Sequence, residues 1–397
     1  MLTIGLIKEG KVPADNRVAL TPDQCKWINQ QAELKVVVQA SSDRCFSDYE
    51  YKRAGIEVVD DVSSCDILLG IKEVPIAHLV ENKMYLFFSH TKKEQKYNQQ
   101  LFHTMMDKKI TLLDYECLEY EDGQRIIGFG FFAGVVGAHN GMMVYGKRTG
   151  LYDLGRVYKV KDYRELIHTY FGLKIPPIKI AVTGSGRVSH GIIEIMNLMG
   201  IAEVEPDEYL EKKFTYPVYV QLKGPDLYTH SELKTYKRDH FHEHAEEYRS
   251  RFLPYTHCTN ILMNGIYWEE NMPRLFERDD ITSHFTIEVI SDITDDAYGS
   301  VPINLGDQSI DNPVYGVSKK TFTKTEPYAA DSIDVIAVGN LPNELPRDAS
   351  RYFGEQLLKY ILPELIKGGN EITERAIILK EGKLTDRFSY LTEYAQH

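Results

Sequence analysis

The sequence predicts an α/β protein made of two domains, each built on a mostly parallel sheet. Three observations predict it. Short apolar runs alternate with helix-permissive segments from the first residues onward. The alternation breaks near residue 130, in a stretch rich in glycine and alanine, and restarts at KIAVTGSG. The restart runs from a strand through a glycine turn into a helix, as a dinucleotide cradle requires.

In chain order, TIGLIKE reads as the first strand, and the polar loop GKVPADNR follows it. In VALTPDQCKWINQ, Thr21 and Pro22 suit the N-cap and first turn of a helix, with Asp23 near the positive end of its dipole. KVVVQA is a second strand and YEYKRAG a helix; IEVVD, CDILLGIKEV, KMYLFFSH and KITLLDYE are buried-strand candidates. GFGFFAGVVGAHNGMMVYG suits a helix packed closely on another element, or a hinge. After Pro176 and Pro177, the strands KIAVT, NILMNGIYW, TIEVISDIT and DVIAVGN build the second unit. YFGEQLLKYILPELIKGG is an amphipathic helix ended by glycines, placed to return to the first domain.

Composition narrows the function. The net charge of −12 argues against nucleic acid or anionic lipid as the main partner, since both attract basic surfaces. No apolar run reaches the roughly 18 residues needed to span a bilayer. The charged, short-cored start MLTIGLIKEG does not read as a secretory signal. The five cysteines are scattered without a C-x-x-C pair, which fits reduced thiols in a cytoplasmic protein. Trp27 and Trp268 read as core residues.

The glycine turn is the first functional candidate. Gly184 and Gly186 supply the tight turn and the close approach for a pyrophosphate, and Ser189 stands at the third position, where a small residue is needed. Free amides at the helix start would face the phosphates. An acidic residue roughly 20 residues on, at the end of the second strand, would grip the ribose hydroxyls. Glu205, Asp207 and Glu208 all stand near that place, with Asp207 ranked first. A carboxylate there favours NAD over NADP, whose extra phosphate it would repel.

The first domain places charged groups at the edges of apolar runs. Lys72 ends DILLGIK, His90 ends MYLFFSH, Arg17 precedes a helix and Arg125 follows the turn EDGQ. Ligands of open α/β sheets sit outside the carboxyl ends of the strands. A lysine held there among apolar neighbours becomes a base near neutral pH, a histidine needs little tuning, and an arginine suits a substrate carboxylate.

Together KEGKVPADNRVALTP, DILLGIKEVP, FFSHTKKEQ, TGSGR, SDITDD and AVGNLPNELPRDAS resemble the alanine dehydrogenase and nicotinamide nucleotide transhydrogenase superfamily. Within it, GQRIIGFGFFAGVVGA and the pair Lys93 and Gln95 resemble the NAD-dependent, lysine-forming saccharopine dehydrogenases. The resemblance implies two Rossmann-like domains, a substrate domain of residues 1–130 with 342–397 and an NAD-binding domain of residues 131–341, with the active site in a cleft between them. It implies Lys72 and His90 as the acid–base pair, and Arg17, Lys93, Gln95, Arg125 and Asp296 as substrate-binding residues. It places Gly186 and Arg187 at the phosphates, and Tyr267, Ile293 and Val338, Gly339, Asn340 and Leu341 against the cofactor. It implies oxidation of an amino-acid or opine-type C–N bond with NAD; the residues themselves suggest no metal site. Two features depart from the pattern: Gln124 stands where the saccharopine enzymes carry a second arginine, and residues 223–257 form an insertion. An alanine dehydrogenase-like deaminase and a non-catalytic nucleotide-binding protein are the other readings. Oligomeric state is open. In the insertion, His240, His242 and His244 lie among glutamates that favour a helix, where they form a solvated face.

Overall fold

The computed structural model describes every residue except Ala32, Asp307 and His397. It divides into two units, Met1–Phe129 with Pro346–His397, and Gly130–Leu345. Each unit carries an eight-stranded sheet.

The first sheet starts with six parallel strands: β1 (Leu2–Leu6), β2 (Leu34–Gln39), β3 (Glu57–Val59), β4 (Ile67–Leu69), β5 (Met84–Phe87) and β6 (Thr111–Asp114). Their spatial order is β3-β2-β1-β4-β5-β6. The chain thus builds outward from β1 in one direction and then in the other, and the seam between β1 and β4 is the topological switch point. These strands read as continuous apolar runs because both faces are covered. Thr21 caps the helix Pro22–Asn29 in a reciprocal box with Gln24, whose Oε1 accepts from the Thr21 amide at 2.9 Å. Trp27, expected in the core, lies instead on the outer face of this helix and is 53% exposed. The helix is short, and Cys25 and Ile28 fill its inner face.

In the second sheet the strands are β7 (Lys179–Thr183), β8 (Ala202–Glu203), β9 (Val218–Leu222), β12 (Ile261–Asn264), β13 (Val289–Asp292), β14 (Val314–Ser318), β15 (Lys324–Thr325) and β16 (Ser332–Ile336). The order is β15-β14-β16-β13-β12-β7-β9-β8, parallel from β16 to β8. The inserted residues supply a small antiparallel pair, β10 (Tyr228–His230) and β11 (Tyr248–Ser250). The small-residue stretch is the helix Gly130–Thr149, which packs on the helix Arg187–Leu198. A Cβ at Gly134 would lie 1.9 Å from the Val188 carbonyl oxygen, and one at Gly191 would lie 2.0 Å from that of Phe131. Only glycine permits this approach.

The chain then returns to the first unit. The helix Pro346–Gln356 runs through a π turn, Leu357–Ile361, into Leu362–Ile366. Pro363 has no N–H to donate, and the wide turn absorbs that loss. Phe353, Leu357, Ile361 and Leu362 join the first core, each burial contributing about 1.5–3 kcal/mol. β17 (Ile377–Lys380) then adds antiparallel to β6, and β18 (Lys383–Leu384) adds antiparallel to β17. Among the described residues, no helix is long and apolar enough to cross a membrane.

Candidate functional site

In the first unit, loops leaving the carboxyl ends of four adjacent strands bring charged side chains together. β1 leads to Glu9, Lys11, Asp15 and Arg17, β4 to Lys72 and Glu73, β5 to His90, and β6 ends on Asp114. Lys72 and His90 each stand three residues past the end of neighbouring strands. Glu73 joins the two loops: its Oε1 lies 2.6 Å from His90 Nδ1, and its Oε2 lies 3.0 Å from Lys11 Nζ. Nδ1–H donates to this carboxylate, so Nε2 is the ring nitrogen left to exchange a proton. Burial pushes the Glu73 carboxyl up, but the His90 bond and charge outweigh it and hold the group at about 2.

Lys72 is shifted the other way. Burial, and then the Arg17 charge, lower its ammonium to about 8. Its own backbone is fixed from beneath. Glu9 accepts from the Ile71 amide at 2.7 Å and the Lys72 amide at 2.9 Å, and burial raises the Glu9 carboxyl to about 8. Arg17 is only 3% exposed. It forms a fork with Asp15, with Nε–Oδ1 at 2.9 Å and Nη2–Oδ2 at 2.6 Å, and its guanidinium lies 4.2 Å over the Phe129 ring. The predicted carboxylate fork is therefore already engaged on one side by an internal carboxylate.

The other predicted residues of this unit are spread more widely. Lys93 is exposed and Gln95 half-buried, both in the loop that follows His90. Arg125 pairs with Glu116 and is half-exposed. Asp114 is fully buried and accepts from the Ser89 amide at 3.0 Å and from the Ser89 hydroxyl, holding the start of the His90 loop; burial raises its carboxyl. Glu9, Lys11, Asp15, Glu73 and Asp114 were not singled out from sequence. The acid directly after Lys72 and the acid ending TLLD were the available signals.

The second unit also concentrates its candidates at the carboxyl edge. Gly184, Gly186 and Arg187 follow β7, Tyr267 follows β12, Ile293 and Asp296 follow β13, and Val338 to Leu341 follow β16. Gly184 takes φ +97°, which favours glycine. Gly186 needs no such freedom, with φ at −90°, and a Cβ there would meet nothing within 4 Å. The space above Gly186 is therefore open, at the start of a twelve-residue helix. Ser189 is buried and donates to the Gly186 carbonyl at 2.9 Å, while Gly191 makes the close helix contact. Tyr267 is 66% exposed and its hydroxyl donates to Glu269. Val338 and Leu341 point into the core, leaving Gly339 exposed and Asn340 half-exposed. Ile293 is buried against Gly137. Asp296 belongs to this unit.

Asp207 does not stand where the sequence placed it. β8 ends at Glu203 and is the edge strand; Asp207 is exposed on the helix Pro206–Glu211. The seat beside β7 belongs to β9, whose Gln221 Nε2 donates to the Gly184 carbonyl at 3.0 Å. The strand that follows the helix Arg187–Leu198 is the edge strand β8, four residues short of Asp207, and the YVQL strand lies next to β7.

Behind the glycine turn, β7, β12 and β13 are tied by buried polar groups. Thr183 donates to Asn264 at 2.7 Å, and Asn264 and Asn304 each donate to Asp292 at 2.8 Å. Burial raises Asp292 to about 6. In the insertion, His240 lies on the helix Arg238–Glu243 with its ring 4.8 Å from that of His244. His230, His240 and Glu247 gather near it. His230 Nδ1 accepts from the Glu232 and Leu233 amides at 3.2 Å each, which puts the proton on Nε2, 2.9 Å from Glu247.

Residues 5–136 match the family model described as the alanine dehydrogenase/PNT N-terminal domain. The chain is 30% identical to an alpha-aminoadipic semialdehyde synthase, mitochondrial, of Rattus norvegicus over 95% of its own length and 46% of that protein's. It thus spans about half the length of that relative. It is 25% identical to a saccharopine dehydrogenase [NAD(+), L-lysine-forming] of Emericella nidulans, covering 88% of this chain and 89% of that one. Among solved structures it resembles an L-alanine dehydrogenase with a TM-score of 0.68 at 15% identity, covering the whole of both chains. It also resembles a transhydrogenase from Sinorhizobium meliloti with a TM-score of 0.59 at 14% identity. Those two likenesses show the fold, two Rossmann-like α/β units.

Proposed function

Because residues 5–136 match the alanine dehydrogenase/PNT N-terminal domain model, we propose that this chain is an NAD-dependent oxidoreductase acting on an amino-acid C–N bond, of the saccharopine dehydrogenase type. The observation that carries the reading is the placement of Lys72 and His90 after the ends of neighbouring strands, with Glu73 2.6 Å from the imidazole. The first unit is the substrate domain and the second holds the nucleotide.

The residues suit this chemistry. NAD, when bound, supplies the hydride acceptor. Lys72, lowered to about 8, has a neutral fraction near physiological pH and takes the proton from the substrate nitrogen. His90, oriented by Glu73, presents Nε2 to the water that completes C–N cleavage. Arg17, Lys93, Gln95, Arg125 and Asp296 bind the substrate's polar groups. Gly184, Gly186 and Arg187 take the pyrophosphate, for which the open space above Gly186 leaves room. Tyr267, Ile293 and the stretch Val338 to Leu341 line the rest of the nucleotide. The residue that meets the ribose is to be sought at the end of β9 as well as at Asp207.

Two observations favour a second reading. Gln124 replaces an arginine, and Arg17 is shared with Asp15, so less positive charge faces a substrate with three carboxylates. That points to an alanine dehydrogenase-like enzyme with a smaller substrate. The readings separate when the purified protein receives NADH with 2-oxoglutarate and lysine, or with pyruvate and ammonia, while nicotinamide absorbance is followed. Consumption with lysine supports the first reading, and consumption with ammonia the second. Binding without consumption of either pair leaves only a nucleotide-binding role.

A further inference from the structure

The loop from Ser89 to Asn98 carries His90, Lys93 and Gln95. It contains two non-glycine residues with left-handed backbone, His90 at φ 54° and Glu94 at φ 52°. That conformation is unfavourable for residues with a side chain and persists only where the surroundings hold it. The ends of the loop are held from within the unit. The Ser89 amide donates to Asp114 at 3.0 Å, and Asn98 Nδ2 donates to the Ser89 carbonyl at 3.0 Å.

Its middle is met by the C-terminal segment. Tyr390 Oη donates to the Lys92 carbonyl at 3.1 Å, and Tyr394 Oη donates to the Gln95 carbonyl at 2.8 Å. The segment that brings these hydroxyls is itself seated. Phe388, Leu391 and Tyr394 are buried in the first core, and the Tyr394 ring lies 5.4 Å from that of Phe102. Gln99 and His103 donate to the Tyr394 carbonyl at 3.1 and 3.0 Å. Residues almost 300 apart in sequence are thus stitched across the stretch that holds the left-handed Glu94.

We propose that the C-terminal segment is a clasp on the substrate loop, with Tyr390 and Tyr394 as positioning residues that aim Lys93 and Gln95 at the amino-acid substrate. The proposal rests on the reading of that loop as substrate-lining. Without the two hydroxyls, the Lys92 carbonyl turns to water and Glu94 relaxes from its left-handed state. Lys93 and Gln95, on either side of it, then lose their direction. His90 is less affected, because Ser89 and Glu73 hold it independently.

The test is the double variant Tyr390→Phe/Tyr394→Phe, which keeps both rings and their packing. Amide exchange of residues 91–96 is expected to speed up at least fivefold relative to the rest of the first unit. KM for lysine, in the assay with 2-oxoglutarate and NADH, is expected to rise about five- to tenfold, the size of losing hydrogen bonds of this kind. kcat should stay within about twofold and NADH affinity should not change. Tyr390→Phe alone, at an exposed ring, gives a smaller change of the same sign and guards against a folding defect in the double variant. Unchanged exchange in the loop, or a uniform rise across the unit, overturns the clasp. Faster local exchange with unchanged KM overturns its role toward substrate. Exchange needs no turnover, so a parent protein inactive with lysine sinks the assigned reaction and leaves the clasp to be judged by exchange.

Discussion

The two units share a sheet plan and differ at the carboxyl edge. In the first, the edge is built from ionisable side chains: Glu73 joins Lys11 and His90, Asp15 joins Arg17, and Glu9 accepts from the backbone amide of Lys72. In the second, backbone and neutral groups predominate beside Arg187 and Asp296. Gly184 and Gly186 open the turn, and Thr183, Asn264 and Asn304 surround one buried carboxylate, Asp292. The difference teaches what each edge is fit for. Charged groups pressed together out of water have displaced pKa values and can move protons. A bare turn at a helix start gives a flexible anion a rigid seat without competing charge.

The strongest way to break this contrast is Lys72→Met. Turnover should fall by about two or more orders of magnitude while NADH binding, followed by fluorescence, stays intact. Near-normal turnover would remove Lys72 from the chemistry. Gly186→Val probes the opposite edge. Its φ is permitted for any residue and the space around it is open, so the unfolding free energy should move by less than about 0.5 kcal/mol, yet NADH affinity should drop at least about tenfold. Unchanged affinity would mean that the cradle lies elsewhere. Gly191→Ala is the control, because its Cβ would meet the Phe131 carbonyl at 2.0 Å, and it should cost about 1–3 kcal/mol in denaturant unfolding.

Titration sharpens the comparison further. Since burial lowers Lys72 to about 8, the neutral amine grows as pH rises through that value. The rate of C–N oxidation should therefore climb about tenfold from pH 7 to 8.5 before levelling, and a flat profile would deny the lysine a base role. The smallest effect is expected for Glu73→Gln. The amide can still face His90 but no longer carries charge, and turnover should fall about three- to tenfold with a displaced pH profile. A loss in stability with no change in that profile would make the Glu73–His90 contact purely structural.

Much of this was legible in the amino acids. The apolar runs gave β1 to β7, because parallel strands covered on both faces have no polar alternation to disguise them. Thr21 and Pro22 marked a helix start through their own chemistry, and GFFAGVVGAHNG marked a close helix contact through its missing side chains. Lys72 and His90 were visible as polar residues ending apolar runs. The YVQL strand was passed over, and with it went the correct neighbour of β7. A five-residue run after a proline carries little signal, and spatial order in a sheet is not written in chain order. Trp27 failed for a related reason, since an aromatic on a short amphipathic helix can face either way until the helix is docked.

By itself, then, the sequence determined the α/β class, the glycine turn and the presence of a lysine and a histidine at strand ends, because backbone freedom, apolar periodicity and residue type are local properties. The tertiary structure alone decided that Glu73 grips His90, that Glu9 lies under Lys72, that Asp15 shares Arg17, and that β9 sits beside β7. Those depend on which strands become neighbours and how far water is excluded between them, and both are set only when distant parts of the chain pack together.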